Sequence, residues 1–518
     1  MNSLPLISIR THAETRRRGV GKLDFSAPLR LRVSKGSVLG LVAVMLSCWG
    51  HPELRADVTL PAVFSDHVVL QRERPIPVWG EAEAGEAVEV ILGETRAATK
   101  ADSNGRWRVD LPAQPANATS RDLVVRGKNT VTLHDVLVGE VWLCSGQSNM
   151  EKPVGEQRGQ KPTLNHEEEL RAADFPQIRL LKVRRIRSQI PARDVQAAWV
   201  ACSPATLDST KFSAAGYFFG RKIFQELNVP VGLIDSTWGG TRIEPWTPPE
   251  AFAKVPSLAA LAEAAKTPGK KAENILPCDL FYGMIQPLAP FALRGFLWYQ
   301  GESNLIDVQD GARYADKMEA LVNGWRQTWG GADLPFYYVQ IAPHLYHVVR
   351  SRQVVSPEEL PKLWEAQTAS LRLPHTGMVV TTDLVDDLTD IHPRNKRDVG
   401  ERLARLALAR DYGRKDVVDS GPTFRRMEIH DGAATIFFDH AEGLVVRKPP
   451  LLWFVIAGAD GKFFPGDAKI EDDHVIVSSA RVAAPVTVRF AWDEAAQPNL
   501  FNGAGLPAVP FRTDSAFK

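Results

Sequence analysis

The chain has 518 residues, 44% hydrophobic and 24% charged, with a formal net charge of +1. It is too long for a single hydrophobic core, and its composition is that of a globular protein rather than a disordered or fibrous one. Residues 1–56 hold nine Lys/Arg against three Asp/Glu, which leaves 53 against 58 beyond them, so no basic footprint for nucleic acid is present.

At the amino end, Arg16-Arg17-Arg18, Arg30, Arg32 and Lys35 precede an apolar stretch from Val38 to Cys48. That stretch is too short to span a bilayer, and residues 1–56 read as an export leader cleaved after Ala56. The expected destination is periplasmic or extracellular. Met45 and Leu46 do not fit a lipoprotein site, so no lipid anchor at Cys48 and no membrane span are expected. Past the leader, Cys144, Cys202 and Cys278 are too few for a disulfide framework. With no C-x-x-C, neither a zinc ribbon nor a redox pair is indicated.

Residues 57–137 carry short alternating runs, Pro75–Gly80, Ala87–Leu92, Arg106–Leu111 and Leu123–Val125, punctuated by turn sequences such as Asp102-Ser103-Asn104-Gly105. This rhythm predicts an amino-terminal β domain of sandwich type. From residue 138 to 415 strand-like runs alternate with helical periodicity. The strands are Val136–Leu143, Pro230–Asp235, Leu293–Trp298, Leu334–Ile341 and Gly377–Thr381. The helices are Ala214–Leu227, Asp310–Trp329, Pro357–Leu371 and Asn395–Arg410. The pattern predicts an α/β domain with a five-stranded parallel sheet and helices on both faces, which binds ligands at the strand carboxyl ends. Residues 151–212 read as a charged, irregular insertion, and pairs such as Arg184-Arg185 as solvated surface. From 416 to 518 strands return (Ala434–Phe438, Leu451–Ala457, His474–Ser478, Val486–Trp492), predicting a carboxyl-terminal β domain.

Three segments stand at strand ends of the α/β region. Gly139-Glu140-Val141-Trp142-Leu143-Cys144-Ser145-Gly146-Gln147-Ser148-Asn149-Met150 is a buried strand that stops in a small polar turn. Trp298-Tyr299-Gln300-Gly301-Glu302-Ser303-Asn304 and Asp390-Ile391-His392-Pro393 follow two other apolar runs. Serine, amide or acid, and an Asp/His pair at strand ends are the parts of a nucleophilic hydrolase. In this order the segments resemble the SGNH-type esterases, and more narrowly the sialate O-acetylesterase family. The resemblance runs from Leu60-Pro61-Ala62-Val63-Phe64-Ser65-Asp66-His67, through Trp238-Gly239-Gly240-Thr241 and Glu244-Pro245-Trp246, to Asn499-Leu500-Phe501-Asn502.

The resemblance implies a nucleophile in Gly146-Gln147-Ser148-Asn149, hence Ser148. Ser145 still borders the buried strand, whereas Ser148 can begin a helix whose free N–H groups would help stabilise an oxyanion. His392 is the expected base: of twelve histidines it alone follows an α/β strand, with an acid two residues before it and a helix after it. The family's Asp-x-x-His spacing is broken by Thr389. Asp390 is the preferred orienting acid, with Asp386, Asp387, Glu302 and an acid-free dyad left open. The expected oxyanion donors are the N–H of Ser148, a glycine of the Trp238-Gly239-Gly240-Thr241 turn (Gly240), and a side-chain amide, Gln300 in preference to Asn304. Gln147, Asn149, Glu302, Asn304 and Trp238 are expected to line the site.

His344 and His347 have no matching carboxylate cluster, so no metal is expected and no organic cofactor is required. The function implied is a serine esterase acting on an acetylated carbohydrate, in the first place 9-O-acetylated sialic acid. An acetyl xylan esterase of the same mechanism and a non-catalytic carbohydrate-binding protein are the alternatives.

Overall fold

The computed structural model describes residues 57–349 and 354–514; the leader and Cys48 lie outside the described residues. Seven strands form the backbone of the central sheet. They are β1 (Thr130–Gly146), β2 (Phe175–Lys182), β3 (Trp199–Cys202), β4 (Val231–Thr237), β5 (Gly295–Tyr299), β6 (Phe336–Val339) and β7 (Thr376–Val379). Their spatial order is β7-β6-β5-β1-β4-β2-β3. Every pair is parallel except β2–β3. Along this path, among the described residues, six strands run parallel, not the expected five. The sixth, β2, and its antiparallel partner β3 come from the segment read as irregular insertion. Ile178 to Leu181 of β2 are buried, and Arg179 among them is accommodated by an ion pair with Asp135.

The helices that matter for the site are α1 (Ser148–Glu151), α2 (Ala214–Leu227), α3 (Arg313–Thr328), α4 (Glu359–Ala369) and α5 (Lys396–Arg410). Side chains alternate across a strand, so paired positions assign the faces. On one face Trp142 of β1 meets Phe219 of α2 and Tyr337 of β6. On the other, Phe296 of β5 and Phe336 of β6 pack on Trp325 of α3. Helices thus cover both faces, and residues 136–146 of β1 are buried without interruption, as a doubly covered parallel strand requires. Helices α2 and α5 pack closely because Gly400 leaves room: a Cβ there would stand 2.6 Å from the Ala215 carbonyl oxygen.

Of the amino-terminal strands, Ile76–Glu81 and Arg106–Leu111 form a two-stranded sheet of their own, and the others join the central sheet. Asn117–Arg126 pairs antiparallel with the first half of β1, and Val69–Gln71 pairs parallel with its middle. Carboxyl-terminal residues form two four-stranded antiparallel sheets and a two-stranded one. Cys144, Cys202 and Cys278 are buried and free. Among the described residues no helix is long and apolar enough to cross a membrane.

Glu140 of β1, fully buried, ties these parts together. It accepts hydrogen bonds from Gln71, Arg72, Arg294 and Tyr412, and the Tyr412 hydroxyl in turn accepts from Trp142 Nε1. Removing a buried carboxylate that neutralises two largely buried guanidinium groups leaves their charge uncompensated, at a cost of about 3–5 kcal/mol. Glu140→Ala should lower the midpoint of urea denaturation accordingly; an unchanged midpoint would contradict this role.

Candidate active site

Six parallel strands place their carboxyl ends along one edge, and the turns that leave them carry the residues singled out in the sequence. β1 ends at Gly146, whose φ of +131° suits glycine. A Cβ at this position would lie 2.2 Å from the Tyr299 carbonyl oxygen. Gln147 then precedes α1, and Ser148 is its first residue, so the Ser148 N–H has no intrahelical acceptor. Half-buried Ser148 presents its Oγ 2.9 Å from Nε2 of His392, across 244 residues of chain. Ser145, by contrast, is fully buried and its hydroxyl donates to the Ser236 carbonyl at 2.6 Å. Of the two serines, only Ser148 meets an imidazole.

Asn149 joins the two segments. Its Nδ2 donates to Glu302 Oε1 (2.5 Å) and to the Ile391 carbonyl (3.0 Å), while its Oδ1 accepts from Lys396 Nζ (2.7 Å). Lys396 is buried, its ammonium 4.9 Å from the centre of the Tyr299 ring. Burial, reinforced by the charge of Lys152, lowers its pKa to about 7. Glu302 is equally buried, and burial pushes its carboxyl upward; its Oε2 has no hydrogen-bond partner among the described residues. Lys396 and Lys152 were not anticipated from the sequence. In a stretch that reads Arg394-Asn395-Lys396-Arg397, nothing local distinguishes the one buried cation.

The acids near His392 differ from expectation in geometry. Asp390 Oδ1 lies 3.7 Å from the ring Nδ1, beyond hydrogen-bond length, and accepts instead the backbone N–H of His392 at 2.9 Å. Asp387 is engaged with Lys161 and Thr389, Asp386 faces Arg394 at 3.6 Å, and Glu302 is bonded to Asn149. Asp390 is thus the acid that the structure brings closest to the ring.

The expected oxyanion donors are also distributed differently. Gly239, not Gly240, packs on the nucleophile turn: a Cβ there would lie 3.2 Å from Ser148 Cβ. Its N–H is taken by Glu151 Oε2 at 2.8 Å. Gly240 follows in the left-handed region (φ +70°), exposed, with nothing within 4 Å of where a Cβ would stand. The Gln300 amide is fully buried and already donates to Gln147 Oε1, the Thr241 carbonyl and Asn304 Oδ1 at 2.7–3.2 Å. It braces the Gln147 turn. Asn304 continues this bracing into a buried charge cluster, donating to Glu244 and Asp310, both of which also receive Lys317 Nζ at 2.7 Å. Burial alone would raise the Glu244 pKa; Lys317 and Arg242 hold it down at about 2.

His344 is buried against Tyr346, and His347 is paired with Glu494. Among the described residues no group of three or more His, Cys, Asp or Glu is arranged to hold a metal ion.

A family model for sialic acid-specific acetylesterases of the carbohydrate esterase class matches residues 138–409. The chain belongs to this family. It is therefore a carboxylic ester hydrolase. It is 29% identical to the sialate O-acetylesterase of Pongo abelii and 28% identical to that of Homo sapiens, each match covering 92% of this chain and 97% of the relative. Among solved structures it is similar to a carbohydrate acetylesterase from Xanthomonas citri, with 38% identity and a TM-score of 0.79, over 89% of this chain and all of that one.

Burial, and next the Lys396 charge, lower the His392 pKa to about 4. The ring is thus neutral from weakly acidic pH upward, and an NMR titration of its resonances should show a midpoint near pH 4. Lys396 is itself charged at that pH, so Lys396→Met removes a repelling cation and should move the midpoint upward. A wild-type midpoint at the ordinary value near 6.5, or no shift in the variant, would contradict this electrostatic account.

Proposed function

We propose that this enzyme removes O-acetyl groups from sialic acids, most directly 9-O-acetylated ones, through an acetyl-enzyme intermediate on Ser148. The observation that carries the reading is the 2.9 Å contact between Ser148 Oγ and His392 Nε2. The family, and the sialate O-acetylesterases to which the chain is similar over 92% of its length, support the choice of substrate.

In this mechanism Ser148 Oγ attacks the acetyl carbonyl carbon while its proton passes to Nε2 of the neutral His392 ring. The tetrahedral oxyanion is received by the N–H of Ser148, free at the start of α1, and by the N–H of Gly240 in its open glycine turn. Collapse breaks the bond to the sugar oxygen, which takes the proton back from the imidazolium. Water then attacks the acetylated Ser148 with His392 again as base, releasing acetate. Asp390 serves as the acid facing the ring: its carboxylate stabilises the imidazolium and favours the tautomer with the proton on Nδ1. Glu151, Asn149 and Gln300 act through the turns they hold, not on the substrate. Residues 57–137 and 416–518 are read as flanking β regions around a catalytic region at 138–415.

Acetate release from O-acetylated sialic acid and acetylated xylan tests both parts of the proposal. Ser148→Ala should reduce turnover at least about a thousandfold, and Ser145→Ala far less. Equal losses from the two, with folding intact, would remove Ser148 from its role. Turnover of xylan but not of sialic acid would replace the substrate and leave the mechanism standing.

A further inference from the structure

The basic run Lys182-Val183-Arg184-Arg185-Ile186-Arg187 leaves the carboxyl end of β2 at the same edge as the nucleophile. In the sheet β2 lies next to β4, which lies next to β1. Strands are spaced by about 4.8 Å, so the turn after β2 stands roughly 10 Å from the Ser148 turn, about the length of a sugar with a side chain. Between them, after β4, is Trp238, followed at once by the Gly239 that packs on Ser148.

Two guanidinium groups lie over Trp238: that of Arg187 at 4.9 Å from the ring centre and that of Arg185 at 5.9 Å. Each is anchored from beneath by a buried carboxylate. Arg187 pairs with Asp279 at 2.7 Å and Arg185 pairs with Glu151, and these carboxylate side chains are only 2% and 6% exposed. Glu151 also accepts the Gly239 N–H, which ties this cationic pair to the nucleophile turn. The two arginine side chains themselves remain 44% and 46% exposed. Each has five N–H donors in a planar fork and offers only part of it to its anchor. A solvated surface arginine needs no such mounting. This pair is fixed on an aromatic face beside the reacting atoms, with donors left over from the ion pairs on side chains that are still exposed.

We propose that Arg185 and Arg187, mounted on Trp238, form a carboxylate subsite that selects acidic acetylated sugars and holds their acetyl ester toward Ser148. The proposal rests on the reading of Ser148 as nucleophile and adds to it the groups that recognise the sugar's charge. A planar carboxylate accepts paired N–H donors from a guanidinium fork, a geometry that neither a hydroxyl nor a neutral amide reproduces.

The test compares acetate release from 9-O-acetylated sialic acid with release from the same sugar after its carboxylate is converted to the carboxamide. The wild-type enzyme should favour the acid in kcat/KM by about tenfold or more, chiefly through KM. The preference should shrink toward unity in Arg185→Gln/Arg187→Gln. A second form of that variant carries Asp279→Asn, so that the buried Asp279 charge is not left unpaired, while Glu151 keeps the Gly239 N–H. No wild-type preference, or a preference that survives in both variants, would overturn the subsite. The wild-type comparison does not depend on any variant folding. Ser148→Ala is measured in parallel: if it retained turnover together with the charge preference, the nucleophile reading would fall while the subsite stood.

Discussion

Asn149 holds the reacting pair together. Its amide reaches the Ile391 carbonyl, 242 residues away, and that carbonyl immediately precedes His392. The residue before Asn149 is Ser148. One side chain therefore fixes the separation of nucleophile turn and histidine loop, which approach one another from non-adjacent strands, β1 and β7. Its remaining bonds, to Glu302 and Lys396, leave the amide no other orientation: Oδ1 accepts from the Lys396 ammonium and Nδ2 donates to the Glu302 carboxylate. A buried amide with every partner in place is worth more as a constraint on geometry than as a contribution to stability.

The electrostatics follow from the same burial. Lys396 and Glu302 are charges that α5 and the turn after β5 carry to the interior, where each is too far from solvent to be indifferent to the other. Burial of His392, and next the Lys396 cation that this arrangement places near it, lower the imidazole pKa well below its ordinary value. A second buried cluster, Lys317 with Glu244 and Asp310, stiffens the opposite wall through Asn304 and Gln300. Two polar networks thus flank the Ser148 turn, one setting its partner's protonation and the other its backbone path.

Features decided within one turn or one strand were legible from the chain. Helical periodicity predicts α2 at Ala214–Leu227, the range observed, and in the structure Ser213 caps its start and left-handed Asn228 ends it. The resemblance and the end of the strand both point to Ser148 rather than Ser145, whose buried hydroxyl is bonded to the Ser236 carbonyl. Features decided by distant partners were not legible. β2 contains Pro176 and Arg179, and its burial needs Asp135, 44 residues earlier. Lys396 is distinguished only by Asn149, 247 residues away. Asp390 is near His392 in sequence, but its carboxylate closes on the backbone N–H two residues on, as Asp side chains in turns do, and stays 3.7 Å from the ring. Arg185 looked like surface because its anchor, Glu151, and its platform, Trp238, lie on other turns of the same sheet edge.

The most direct test of the account is covalent. The enzyme is mixed with excess 9-O-acetylated sialic acid, quenched in acid during turnover, digested, and the peptide spanning residues 139–152 fragmented by mass spectrometry. The account predicts an acetyl group on Ser148 that disappears after substrate is exhausted. An acetyl group on Ser145 or elsewhere, or turnover with no acetylated enzyme under conditions where acetyl transfer outpaces hydrolysis, would contradict it.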